Sequence, residues 1–348
     1  MATGKAEAEL AGILEEINHC NKCGFCLPSC PTYRLTGQEL HSPRGRIALV
    51  EAAARGELGS LGALEEALTY CVGCRNCETA CPSGVHYERI LEAGRTYLTR
   101  RQRRGYPRSF ASQQALKLAK HPTRFRAIVQ LARRMTGLPL PGSWARFRAM
   151  LPPAARAVPE APARQSPPTL GTLLFFEGCV MTASFEEVNR AAKRLLAAAG
   201  YTVVSLPQQT CCGAIHWHSG EAAEARALAR QNLQAYARFV ERQEVVGVVN
   251  TAGGCGAMLT EYPRLLADDP AWLPIAQRLA AMVHDFTYYL WGEQGPRLPL
   301  VGSRERVTLQ NSCHLVNVAK GGQEPVRLLQ AVAGDQYVPF FGQELCCG

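Results

Sequence analysis

CNKCGFCLPSCP at residues 20–31 and CVGCRNCETACP at residues 71–82 share one spacing, C-x2-C-x2-C-x3-C-P. Cys20, Cys23, Cys26 and Cys30 form the first copy; Cys71, Cys74, Cys77 and Cys81 form the second. Two-residue gaps let a tight loop aim three sulfurs at one centre, while the fourth cysteine and its proline lead the chain away. Thiolates are soft, charged ligands that suit iron in a tetrahedral sulfur environment.

In a two-cluster ferredoxin the fourth cysteine of such a run ligates the other cluster. The spacing therefore predicts two [4Fe-4S] clusters. One set is Cys20, Cys23, Cys26 and Cys81, and the other is Cys71, Cys74, Cys77 and Cys30. Crossed ligation holds the two centres close enough for an electron to hop between them. Two structural zinc sites are the competing reading. Zinc modules usually pair C-x2-C elements across a longer spacer, so the doubled triplet with its trailing Cys-Pro favours iron and sulfide.

The 40 residues between Cys30 and Cys71 are too many for a small β-rich ferredoxin. They read as helical: Ser42 caps, Pro43 takes the first helical position, and GRIALVEAAA follows. This arrangement resembles the α-helical ferredoxin domain of the succinate dehydrogenase iron–sulfur subunit.

The whole chain has 348 residues, room for two or three domains, and 15 cysteines. Its first 18 residues are polar and helix-like, without a signal-peptide apolar run, and nothing approaches the ~18 apolar residues of a spanning helix. An odd cysteine count fits metal ligation better than full disulfide pairing. The expectation is a reduced, cytoplasmic protein. Net charge is +9, yet residues 94–148 hold 14 Lys/Arg and no Asp or Glu, leaving 24 basic against 29 acidic residues elsewhere. This stretch mixes cations with aromatic and aliphatic residues. It is expected to dock an acidic partner or lie peripherally on the inner face of a membrane, with a solvated helical face as the plainer alternative. No recognition motif for nucleic acid accompanies it.

Composition divides the chain into residues 1–92 (two-cluster ferredoxin domain), 93–148 (basic helical region), 149–170 (a linker with six prolines), 171–300 and 301–348. From Gly171 onward, apolar runs alternate with helical stretches, predicting an α/β domain. TLLFF (172–176), TVVSL (202–206) and VVGVV (245–249) read as strands. A helix is expected from about Glu186 to Ala199, with Ser184 and Glu187 as capping box and Gly200 as stop. The unit recurs: Cys179 precedes Cys211 by 32 positions, and Cys313 precedes Cys346 by 33. The first copy adds Cys255 43 residues after Cys212, whereas the second ends at Gly348 just past Cys347. The expectation is a duplicated α/β cysteine-rich domain whose second copy is truncated.

Cys179, Cys211, Cys212 and Cys255 make one candidate metal set, and Cys313, Cys346 and Cys347 an incomplete second. Neighbouring thiols can bridge a multi-iron centre, and both sets fall where strands end, the usual place for a site in an α/β domain. Buried free thiols are the plainer reading. His216 and His218 follow the first pair and His314 follows Cys313; each is a candidate to tune a centre by hydrogen bonding or simply to pack.

The Cys-Cys-Gly repeats resemble the cysteine-rich domain of heterodisulfide reductase, the anaerobic glycerol-3-phosphate dehydrogenase small subunit, lactate-utilisation proteins and the glycolate oxidase iron–sulfur subunit. CNKCGFCLPSCPTYRLTGQELHSPRGRI, CVGCRNCETACPSGVHY and CCGAIHWHSGE are most similar to the last. That resemblance implies an electron-transfer subunit of a 2-hydroxy-acid dehydrogenase. It further implies FAD on a separate glycolate oxidase subunit, a quinone-type acceptor, and no substrate chemistry here. No Gly-rich dinucleotide fingerprint contradicts this placement of the flavin. One departure stands out. Heterodisulfide reductase subunits carry C-x2-C after the pair, but here the slot reads Cys255 then Met258, so their five-thiolate pattern is incomplete.

Overall fold

The computed structural model describes residues 10–102, 117–118, 120–134, 142, 170–292, 295–300, 302, 304–340, 342–343 and 346. The expected linker, except Leu170, lies outside the described residues, as do Cys347 and much of the basic region.

The first unit is helical, as its sequence predicts. Helices α1 (Leu14–Asn18), α2 (Pro31–Thr36), α3 (Pro43–Ala54), α4 (Gly62–Tyr70), α5 (Asn76–Thr79) and α6 (Tyr87–Gln102) frame the two cysteine loops. Ser42 starts α3: its backbone is extended, and its Oγ accepts the Gly45 N–H at 2.9 Å. Pro43 fits the first helical position because its missing N–H would be unpaired there anyway. Ile47, Val50 and Ala53 recur at helical spacing and are buried in one core with Leu64 and Leu68 of α4 and Ile90 and Leu91 of α6. Gly94 lets α6 close on that core, since a Cβ there would sit 2.7 Å from Leu68 Cδ1 and 3.0 Å from Val50 Cγ2. The boundary expected between residues 92 and 93 falls inside α6.

Helix α7 (Pro122–Arg134) is the described part of the basic region's second half. Val129 and Ala132 are buried. Its cations face the α/β unit: Arg126 pairs with Glu186 at 2.6 Å, and Arg133 Nη2 donates to the Ser184 carbonyl at 2.9 Å. Just ahead of it, Lys120 pairs with Glu224 at 2.6 Å. These charges fasten the segment to its own chain.

The second unit is a four-stranded parallel sheet of order β2-β1-β3-β4. Its strands are β1 (Thr172–Phe175), β2 (Thr202–Ser205), β3 (Val245–Asn250) and β4 (Val283–Asp285). The helices between and beside them are α8 (Cys179–Ser184), α9 (Glu186–Ala198), α10 (Ala214–His218), α11 (Ala222–Val240), α12 (Gly253–Thr260), α13 (Tyr262–Leu265), α14 (Leu273–Met282) and α15 (Phe286–Leu290). Parallel strands are covered on both faces and read as continuous apolar runs. Accordingly, Leu174 and Val248 pack with Leu233 and Tyr236 of α11 and Leu279 of α14, while Leu173, Phe175 and Val249 pack with Ala192 and Leu196 of α9 and Leu290 of α15. All three predicted strands form within a residue or two of their expected limits.

The expected capping box does not form. Ser184 is the buried last residue of α8, and Phe185 takes the N-cap of α9 with no side-chain cap bond. A one-residue break between two helices leaves Ser184 no extended backbone from which to cap. Gly200, at φ +102, does stop α9. A third element follows: α16 (Cys313–Asn317) and α17 (Gln323–Ala333), with Val307 and Tyr337 in a parallel bridge.

Candidate metal centres

The two cysteine loops wind alike. The residues flanking each second cysteine are left-handed: Lys22 and Gly24 at φ 55 and 90, Gly73 and Arg75 at φ 65 and 59. This pair of turns curls each loop around its own sulfurs. A space of about 420 Å³ free of protein atoms is lined by Cys20, Cys23, Cys26 and Cys81. A second, of about 290 Å³, is lined by Cys30, Cys71, Cys74 and Cys77. The thiols thus group in the crossed order, with Cys81 joining the first triplet and Cys30 the second. Pro43, Cys77 and Tyr87 line both spaces, so one wall separates them.

Three of these thiols resist ionising alone. Burial pushes Cys26 upward, lifts Cys74 to about 11 and raises Cys77 well above a free thiol. Thiolates gathered so closely need a cationic partner to lose their protons, which a metal centre provides. Among the described residues no three His, Cys, Asp or Glu side chains converge tightly enough to chelate a single ion. Four soft donors ringing an open space fit a polynuclear iron–sulfur group better than one zinc ion.

In the α/β unit, Cys179 opens α8 directly after β1, Cys211 and Cys212 follow β2, and Cys255 lies in the first turn of α12 after β3. All four therefore gather at the C-terminal edge of the sheet. Cys179 Sγ donates to Cys211 Sγ at 3.5 Å, and Cys212 Sγ to Cys255 Sγ at 3.6 Å. The pair is clamped from below: Asn232 Nδ2 donates to the Cys211 carbonyl at 2.9 Å, and Tyr262 Oη to the Cys212 carbonyl at 2.9 Å. Cys211 is held low by hydrogen bonds from Cys179 and Cys212 against its burial, with the His216 side chain also donating to it. Cys179 is correspondingly pushed far up by that shared bond and by burial. His216 is itself buried beside the pair. Met258, in the slot after Cys255, is buried in the apolar core.

Cys313 opens α16 as Cys179 opens α8. It lies, with Cys346, near enough to Cys74 that their charges add to the burial raising that thiol. Around them the two units lock together. His314 Nε2 lies 3.0 Å from the Gly73 carbonyl, and Asn317 Nδ2 donates to the Cys74 carbonyl at 2.8 Å. His218 Nδ1 lies 2.8 Å from Glu92 Oε1, so His218 and His314 both hold the interface.

A partly buried ionic cluster completes that interface and had no signature in the sequence. Arg75 pairs with Glu78 at 2.8 Å and with Glu261 at 2.7 Å, while Arg264 pairs with Glu88 and Glu261 at 2.6 Å each. Burial opposes charge on Glu261, but Arg264 and Arg75 outweigh it and hold the carboxyl below its usual range. Gly220, at φ +74, meets α6 so closely that a Cβ would lie 2.4 Å from the Arg95 carbonyl.

No helix among the described residues is long and apolar enough to cross a membrane. Two sequence families match the chain: a 4Fe-4S dicluster domain over residues 16–85 and a cysteine-rich domain over residues 173–260. The chain is 37% identical to a probable glycolate oxidase iron–sulfur subunit of Bacillus subtilis, over 96% of this chain and 79% of that protein. It is 32% identical to the glycolate oxidase iron–sulfur subunit of Escherichia coli, over 94% of this chain and 78% of the relative. Lactate utilization protein A of Geobacillus kaustophilus is 33% identical over 50% of this chain and 70% of its own length. No solved structure matches significantly. With its dicluster and cysteine-rich domains in that order, the chain belongs to the family of glycolate oxidase iron–sulfur subunits.

Proposed function

We propose that this chain carries electrons from a flavin-bearing subunit that oxidises glycolate to glyoxylate on to a quinone-type acceptor. The observation that carries the reading is the pair of adjoining spaces, in which Cys81 joins the first triplet and Cys30 the second, with Cys77 in the wall they share. Cys20, Cys23, Cys26 and Cys81 would hold one [4Fe-4S] cluster, and Cys71, Cys74, Cys77 and Cys30 the other. Such clusters accept one electron at a time, so a two-electron flavin step divides into single transfers. The protein's own part is to fix the separation, exclude water from the wall at Cys77 and Tyr87, and neutralise charge around each site.

Cys179, Cys211, Cys212 and Cys255 form the candidate third centre. Cys313 and Cys346, with Cys347 outside the described residues, form an incomplete fourth set. The parallel bridge at Val307 and Tyr337 and the helix opening at Cys313 support a second copy of the cysteine-rich unit. Peripheral membrane contact would have to use other basic residues than Lys120, Arg126 and Arg133, which are engaged within the chain.

The likeness to lactate utilization protein A, over half of this chain, supports lactate as the second substrate to try. The test is to purify the chain anaerobically with its flavoprotein partner and assay dye and quinone reduction with glycolate, lactate and glycerol 3-phosphate. Glycolate-driven reduction that Cys23→Ser abolishes is expected. Undiminished electron flow through that variant contradicts the assigned route.

A further inference from the structure

Arg46 is the largest fully buried side chain among the described residues, only 1% exposed, and no carboxylate among those residues pairs with it. Its Nε donates to the Ala67 carbonyl at 2.7 Å, its Nη2 to Thr32 Oγ1 at 2.9 Å, and its Nη1 to Cys30 Sγ at 3.8 Å. A guanidinium stays charged in proteins. Burying one without a counter-charge is among the most costly arrangements a fold can contain. Its surroundings show what balances it. Arg46 lines the space enclosed by Cys30, Cys71, Cys74 and Cys77. The other cations at the two spaces are already compensated. Arg44 and Lys22, at the first, are engaged by Glu39 and Glu51, and Arg75, at the second, by Glu78 and Glu261.

We propose that Arg46 is the buried counter-charge of the second thiol set's cluster, and that it makes this centre the more easily reduced of the two. The inference rests on the ligation proposed above. An added electron raises the negative charge beside an unscreened, uncompensated cation, so the reduced state is favoured there and no proton need be taken up. The first centre has no such charge. It lies next to the exposed Cys23 and the largely exposed Phe25. The second adjoins the interface made by His314 and Asn317 with the Gly73 and Cys74 carbonyls. Electrons entering at the outer loop would therefore settle inward, toward the cysteine-rich unit. Arg46 acts here as a positioning residue and touches no substrate.

The test is a potentiometric titration of the full-length chain with dithionite, followed by electron paramagnetic resonance. It compares wild type, Arg46→Gln and Arg46→Lys, with iron and acid-labile sulfide counted in each. Cys74→Ser identifies which reduction wave belongs to the second centre. In Arg46→Gln the one-electron reduction equilibrium of that wave is expected to fall at least tenfold, about 59 mV, while the other wave stays in place. Arg46→Lys, which keeps the charge but not the three-way fork, is expected to restore it. If the glutamine variant cannot hold the second centre at all while the lysine variant does, the counter-charge role is equally supported. Lysine and glutamine behaving alike, whether both harmless or both disruptive, overturns it, as does a shift shared by both waves. Wild-type protein without iron and sulfide instead defeats the ligation reading on which the inference stands.

Discussion

Cys30 and Cys81 are the residues on which the ligand scheme turns. Each closes one loop in sequence yet lines the space of the other. The expected outcome is that Cys81→Ser disturbs the same resonance signal as Cys23→Ser, while Cys30→Ser disturbs the signal altered by Cys74→Ser. Uncrossed pairing of those effects contradicts the scheme. These eight cysteines were legible because loop spacing is local: three sulfurs two residues apart can reach one centre in few ways. Cys211 and Cys255 were legible only as members of a set, since their Sγ contacts join chain segments 32 and 43 residues apart. Arg46, Tyr87 and Arg75 escaped notice altogether. An arginine in an amphipathic helix reads as solvent-facing, and only the packing of α4 and α6 over α3 shows that it is enclosed.

Helix α3 is the element that carries this arrangement. It supplies Pro43 to both spaces, Arg46 to the second and Ile47 to the first. Its start was readable because Ser-Pro states the cap and the first turn in adjacent residues. Ser42 is fully buried, accepts from Gly45 N–H and donates to Glu39 Oε1 at 2.8 Å. Ser42→Ala is expected to cost about 1 kcal/mol by orphaning that N–H, measured as a lower midpoint in chemical denaturation of the ferredoxin-unit signal. The start of α9 was misread for the opposite reason. Ser184 and Glu187 have the right spacing, but the preceding α8 occupies Ser184, and a cap pattern carries no information about a helix ending one residue earlier.

At the scale of the whole molecule, the ferredoxin and α/β units form one interlocked body around Glu88, Glu92, Arg75 and Arg264. Trp217 Nε1 donates to Glu88 Oε1 at 3.3 Å, Thr99 Oγ1 to the Ser219 carbonyl at 3.1 Å, and Gly220 lies against α6. Gly220→Ala forces a Cβ against backbone and strains a left-handed residue, so it is expected to loosen this docking. Faster amide exchange in α6 and α10, with the sheet unchanged, is the readout. Arg264→Met leaves Glu88 and Glu261 short of a partner and is expected to destabilise the docked state by about 3 kcal/mol, seen as earlier proteolytic separation of the units. The cysteine spacing and the apolar runs foretold a helical ferredoxin unit followed by an α/β unit with a sheet. They could not foretell how the units meet, because the contacts join residues more than 100 positions apart whose pairing leaves no local pattern.

The most direct measurement is elemental and magnetic analysis of the full chain isolated without oxygen. Iron and acid-labile sulfide sufficient for at least two four-iron centres are expected, with paired signals on reduction that disappear one at a time in the Cys23→Ser and Cys74→Ser variants. A colourless protein carrying zinc, or one silent by electron paramagnetic resonance after reduction, contradicts the account.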